Sequence, residues 1–146
     1  MEADRLGGCE GLIVVLDTSI VLDIARGTIP LSSIDGVIAG SYKLVTVKGV
    51  LEELSRIAEG GGLRSRIARR ALNLVEEVGV VVLGEVEGGV DDAIVALALS
   101  LKSRCRVIVA TNDRVLRRRL RRIGVPTMYY RRARGGLEVD WHPVFY

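Results

Sequence analysis

LIVVLDTSIVLD, residues 12–23, decides the fold. Five aliphatic residues run unbroken from Leu12 to Leu16, and the run ends on Asp17, Thr18 and Ser19. A short apolar run without polar alternation marks a strand covered on both faces, as in a parallel sheet. Thr18 is an N-cap type placed to open a helix over Ser19–Arg26. The acid is the anomaly. A carboxylate at the end of a buried strand is costly unless it is paired, hydrogen-bonded or holding a metal.

The rest of the chain repeats the alternation of short β-branched runs and longer helical patterns. Strands are predicted at Leu44–Val47, Val80–Leu83 and Val107–Ala110, a fifth at Pro126–Tyr130 and a short edge piece at Leu137–Val139. Val50, Leu51, Leu54, Ile57 and Ala58 mark an amphipathic helix that Gly60, Gly61 and Gly62 end. Leu63–Val78 forms the next, with Ile67, Ala71, Leu74 and Val78 expected inward. Asp91–Lys102 is a helix that is apolar almost all round. Arg114–Ile123 carries the stripe Leu116, Leu120 and Ile123, and Gly124 follows as its cap. Strands and helices in alternation imply an α/β fold: a three-layer α-β-α sandwich around a mostly parallel sheet of about five strands.

The bounds agree. The 146 residues suit a single domain with its core at about 12–130 and short extensions at either end. No repeat, low-complexity tract or dividing linker interrupts it. The chain is 49% hydrophobic and 4% aromatic, so aliphatic residues and alanine build the core. No apolar run approaches a membrane span, and MEADRLGGCEG has neither a basic start nor an apolar signal core, so a cytoplasmic location is expected. Cys9 and Cys105 follow no spacing pattern and are expected to be free thiols in a reducing cytosol. Eighteen Arg against three Lys, with two Asn and no Gln, fit a heat-adapted or GC-rich source.

Charge is unevenly spread. Residues 114–134 hold nine Arg and no acid, while the remaining 125 residues sum to −6. Such asymmetry suits a polyanion such as nucleic acid, with a solvated arginine face as the plain alternative.

In open parallel sheets, ligands bind beyond the carboxyl ends of the strands. Asp17 ends one strand, and Asp113 follows another after only Thr111 and Asn112. Glu53 borders the buried stripe of its helix, while Glu52 is expected to point away. Asp91 and Asp92 open the apolar helix, where periodicity cannot choose between them. Helix capping and surface ion pairs account for any one of these acids. Their joint placement at one edge suits a hard divalent cation. Asp23 is expected in a surface ion pair.

The same residues carry a family resemblance. VVLDTSIVLD, VLEELSRI, VDDAIVALAL and VIVATNDRVL resemble, in order, the four acidic motifs of PIN-domain nucleases, over roughly residues 12–130. The resemblance implies Mg²⁺- or Mn²⁺-dependent cleavage of single-stranded or structured RNA with one or two ions. It implies Asp17, Glu53, Asp92 and Asp113 as the catalytic acids and metal ligands, with Asp91 as an accessory acid. Thr18, Ser19, Thr111 and Asn112 match positions that support the metal shell. VATNDRVLRRRLRRIGVPTMYY is similar to the end of PIN proteins that process small-subunit ribosomal RNA, which implies a ribosomal RNA precursor as partner. The VapC-like toxin branch, with an antitoxin partner, shares the four acids. A catalytically silent RNA-binding assembly factor is the reading from another class. Homodimers are implied because PIN domains often pair. Arg114, Arg117, Arg118, Arg121 and Arg122 are expected to face solvent and bind phosphates, and Tyr129 and Tyr130 are expected to be buried in their strand.

Other chemistries fail. A phosphatase of the haloacid dehalogenase type needs an Asp where Ser19 stands. No phosphate-binding loop ending in Lys-Ser/Thr exists. His142, the one histidine, and two separated Cys make no ordinary zinc site. No Cys-His or Ser-His-Asp set suggests a nucleophile.

Overall fold

Strand β1 (Leu12–Leu16) is the axis of a six-stranded sheet, and none of its residues is more than 3% exposed. The structure is a computed structural model, and it describes residues 6–84 and 88–140. β2 (Tyr42–Val47) and β4 (Arg106–Ala110) pair with β1 on opposite sides, both parallel to it. β3 (Val81–Leu83) lies outside β2, β5 (Thr127–Arg131) outside β4, and β6 (Gly136–Asp140) closes that edge antiparallel to β5. The order is β3-β2-β1-β4-β5-β6. The expected edge piece at Leu137–Val139 is thus a full sixth strand, extended because every residue of β5 finds a partner in it.

The helices are α1 (Thr18–Arg26), α2 (Ser33–Val37), α3 (Lys48–Ala58), α4 (Leu63–Val78), α5 (Val90–Lys102) and α6 (Arg114–Arg122). Helices α1 and α3 pack against α4, while α5 lies on β4 and β2 and touches α6. Burial of β1 on both faces follows from this cover. The one-turn α2 was not predicted, because SIDGV has too few residues to show a period.

Two helical expectations shift. The N-cap of α1 is Asp17, not Thr18: the Asp17 side chain accepts from the Thr18 N–H. Asp is an equally good cap and sits one residue earlier, where the backbone is still extended. In α4 the buried face is Ile67, Ala68, Ala71 and Val75, whereas Val78 is 37% exposed. The i, i+4, i+8 row of Ile67, Ala71 and Val75 sets that face, and Val78 has rotated off it by the last turn.

A larger correction concerns the thiols. Cys9 and Cys105 form a disulfide across 96 residues, with Cα atoms 5.3 Å apart. The pairing follows from register: Leu12 faces Arg106 across the β1–β4 ladder, so the residues just before the two strands are neighbours. The two cysteines are therefore not the free thiols expected of a reducing cytosol. Disulfides persist in oxidising compartments and also inside hyperthermophiles. No described helix is long and apolar enough to cross a membrane.

Gly11 is required by a close approach. It has φ +73°, and a Cβ there would collide with the Ser41 carbonyl, which accepts the Leu12 N–H at 3.0 Å. This contact aligns the starts of β1 and β2.

Candidate active site

The order of strands creates a crevice. The chain leaves β1 toward β2 on one side and returns to β4 on the other. The carboxyl ends of β1 and β4 therefore flank a topological switch point, where such sheets bind ligands. Leu16 pairs with Ala110, so the residues that follow, Asp17 and Thr111, are forced side by side.

Asp17 is 6% exposed. Its Oδ1 accepts the Thr18 N–H at 2.8 Å, and its Oδ2 accepts the Thr111 hydroxyl at 2.7 Å and the Ser19 hydroxyl at 3.3 Å. Thr111 Oγ1 in turn accepts the Asp113 N–H at 3.1 Å. One buried hydroxyl thus fixes both strand-end acids. Asp113 caps α6, its Oδ1 accepting the N–H groups of Val115 and Leu116 at 2.8 and 3.1 Å. Its carboxylate is exposed at the mouth of the crevice.

Asn112 ties the surround together. Its side-chain N–H₂ donates to Asp23 Oδ2 at 2.9 Å, and its Oδ1 accepts the Tyr130 N–H at 2.8 Å. Asp23 also takes the expected ion pair, with Arg26 at 2.8 Å. The link from Asp23 to Asn112 was not foreseen, because it spans 89 residues and depends on the β1–β4 pairing. Thr18 contributes its backbone N–H, while its buried hydroxyl has no partner.

The acids act on one another through charge. Burial pushes the Asp17 carboxyl above the usual 3.8 despite its three hydrogen bonds, and the Asp113 charge adds to the rise. Glu53 is raised first by burial and then by the Asp17 charge, while Arg56 and Arg64 oppose the rise. Asp91 is raised by burial and then by Asp17 and Asp113. Asp17, Glu53, Asp91 and Asp113 therefore share one field. Asp92 does not face it in the same way. Its side chain is 60% exposed and ion-pairs with Arg119 at 2.9 Å.

No group of three or more His, Cys, Asp or Glu among the described residues is close enough to hold a metal as it stands. The chemistry of the donor set nonetheless fits one. Asp17 is a buried carboxylate whose hydrogen-bond donors are all neutral. The charge of Asp17 raises both Glu53 and Asp91, and that of Asp113 raises Asp17 and Asp91, a mutual repulsion that a divalent cation would relieve. Oxygen ligands of this kind suit Mg²⁺ or Mn²⁺. His142 lies outside the described residues.

The arginine segment divides. Arg114, Arg118 and Arg122 are exposed, four apart along α6. Arg121 ion-pairs with Asp140. Arg117 departs from the expected solvent exposure: it is half-buried, with its guanidinium 3.5 Å from the centre of the Tyr129 ring. Its position beside Leu116 puts it at the border of the apolar stripe, and β5 supplies the ring that draws it in. Tyr129 and Tyr130 are half-buried, and Tyr129 is held further by a bond from its hydroxyl to Glu138 at 3.1 Å.

Residues 14–133 match the PIN-like domain family. The chain belongs to that family. Solved structures that share its PIN-like fold include the following two. One is the PIN domain endonuclease Utp24, 23% identical over 89% of this chain and 92% of that one, with a TM-score of 0.69. The other is VapBC-1 from nontypeable Haemophilus influenzae, 21% identical over 75% of this chain and 93% of that one, with a TM-score of 0.53. No curated protein matches the chain. PIN domains form a family of hydrolytic nucleases, so the acids of the switch-point crevice are the place to look for such chemistry.

Proposed function

We propose that this PIN-like protein is a divalent-metal-dependent endoribonuclease that hydrolyses RNA phosphodiester bonds. The observation that carries the reading is the placement of Asp17 and Asp113 at the β1–β4 switch point, bound through Thr111, in one field with Glu53 and Asp91. One or two Mg²⁺ or Mn²⁺ ions held there would polarise the scissile phosphate and lower the pKa of the attacking water.

The chain's own residues then take distinct tasks. Asp17 is the fixed anchor, because three donors hold both its oxygens. Glu53 and Asp113 contribute from α3 and the head of α6. Asp91 is the closer ligand from α5, and Asp92 holds Arg119. Thr111 and Ser19 position Asp17, and Asn112 braces the loop through Asp23 and Tyr130. Arg114, Arg118 and Arg122 lead away from Asp113 along α6 and take flanking phosphates, which supplies affinity without base choice.

The substrate class follows the resemblance of VATNDRVLRRRLRRIGVPTMYY, the Arg-rich helix and the aromatic β5 after it, to the end of PIN proteins that process small-subunit ribosomal RNA. A ribosomal RNA precursor in the cytoplasm is the target we favour over the toxin role suggested by the likeness to VapBC-1. The purified chain should cleave single-stranded RNA in Mn²⁺ or Mg²⁺ and stop when EDTA is added. Cleavage undiminished by EDTA would reject the metal dependence. Crosslinking in the native cell followed by sequencing should recover ribosomal RNA precursors. Recovery of transfer RNA or messenger RNA alone would reject that target.

A further inference from the structure

Beside Glu53 lies a feature that the acidic crevice does not use. A cleft of about 480 Å³ opens between α3 and the start of α5, within the size range of small-ligand sites. Lys48, Glu52 and Arg56 line one wall, spaced four apart on one face of α3. Gly84, Gly88 and Gly89 line the other, so no side chain from those three positions fills the space. Glu52 and Glu53 both border this cleft. No ion pair or hydrogen bond with a described residue occupies Lys48, Glu52 or Arg56.

The order along the wall is donor, acceptor, donor. A phosphate suits it poorly, because the Glu52 carboxylate stands between the two cations. A nucleobase edge carries both donors and acceptors. Guanine alone presents two adjacent donors, N1–H and the N2 amine, beside an acceptor, O6. A carboxylate takes those two donors in parallel, and a neighbouring ammonium or guanidinium takes O6. Adenine offers a carboxylate one donor beside an acceptor. Uracil offers one donor between two acceptors.

We propose that this cleft seats a guanine base of single-stranded RNA next to the scissile phosphate, with Glu52 reading its N1–H and N2 edge and Lys48 or Arg56 its O6. The position relative to the scissile bond rests on the nuclease reading above. The binding of guanine does not.

The test is equilibrium binding of the full chain, in EDTA, to fluorescent oligouridine carrying one guanine, adenine, cytosine or inosine. The guanine oligonucleotide should bind about tenfold tighter than the adenine or cytosine ones, toward the low end for a bidentate base contact. Inosine, which lacks the N2 amine, should fall between. Glu52→Gln should remove most of the preference. Gly89→Leu should weaken the guanine oligonucleotide alone. Gly89 has φ −75° and ψ 169°, open to any residue, and an added Cβ meets nothing within 4 Å, so that variant should fold. Equal affinity for all four oligonucleotides, no binding to any, or a guanine preference that survives both substitutions would overturn the proposal. Metal-dependent cleavage without base preference would remove the cleft and leave the nuclease standing. A Glu52-dependent guanine preference without cleavage would do the reverse.

Discussion

The Thr111 hydroxyl donates to Asp17 Oδ2 at 2.7 Å and accepts the Asp113 N–H at 3.1 Å. One fully buried side chain thereby connects the ends of β1 and β4. Both acids owe their placement to the β1–β4 register, which sets Leu16 against Ala110.

Thr111→Val keeps the shape and removes both bonds. It leaves a buried carboxylate short of a donor, which costs about 1–3 kcal/mol. Thermal unfolding should therefore move to lower temperature, and RNA cleavage should fall with it. Thr111→Ser should recover most of both. A valine variant as stable and as active as the parent would mean that Thr111 does not position the acids.

The pair Asp91 and Asp92 separates by charge. Asp91 is raised above 3.8 in the folded chain, mainly by burial and then by Asp17 and Asp113. A carboxyl raised on folding adds stability below its ordinary pKa and loses it as pH climbs through the folded value. At neutral pH, Asp91→Asn should thus raise the melting temperature of the metal-free chain, and the gain should shrink as pH falls through the raised folded value and be gone below about pH 4. Asp92→Asn gives up the Arg119 ion pair and should give no such gain. A larger gain from Asp92→Asn at pH 7 would reverse the assignment of the two.

The Cys9–Cys105 bond closes a long loop, so its loss should be felt mainly in the unfolded chain. Cys9→Ser with Cys105→Ser should destabilise by about 2–4 kcal/mol and lower the melting temperature by roughly 10 °C. The bond lies at the amino ends of β1 and β4, opposite the acids. Cleavage at moderate temperature should therefore be unchanged. Loss of activity without loss of stability would place the bond in the mechanism.

The arginines should respond in two ways. Neutralising Arg118 and Arg122, which are exposed on one face, should spare the fold and lower the salt dependence of RNA affinity by about 0.7 log–log units each. Arg117→Ala removes the guanidinium from the Tyr129 ring and should cost stability instead. An unchanged salt slope in the Arg118 and Arg122 variant would return them to a solvated helix face.

The legibility of the chain varied with the range of the forces at work. The run Leu12–Leu16 and the acid after it were visible because burial on two faces leaves no polar position to hide in. Helix α4 was predicted at its observed bounds, since a Gly stands at either end. Asp17 and Asp113 were visible as strand ends, Glu53 and Asp91 only as acids on neighbouring helices, and Lys48 could have been found by the strand-end rule, as it follows β2 directly. Periodicity could not choose between Asp91 and Asp92 because an all-apolar helix has no phase; the family resemblance put Asp92 first, whereas Asp91 shares the field of Asp17 and Asp92 pairs with Arg119. The disulfide and the Asp23–Asn112 bond were closed to it because both require knowing that β1 neighbours β4. Arg117 was misjudged because its partner ring comes from the next strand.

The most direct measurement compares RNA cleavage by the parent and by Asp17→Asn in Mn²⁺, with unfolding of both followed in parallel. Asparagine keeps the shape of the anchor and removes its charge. The account predicts a folded variant whose cleavage rate drops by at least about a hundredfold, the size expected when a group central to the chemistry is lost. A folded Asp17→Asn chain that cleaves as fast as the parent would contradict the assignment of the nuclease centre to this crevice.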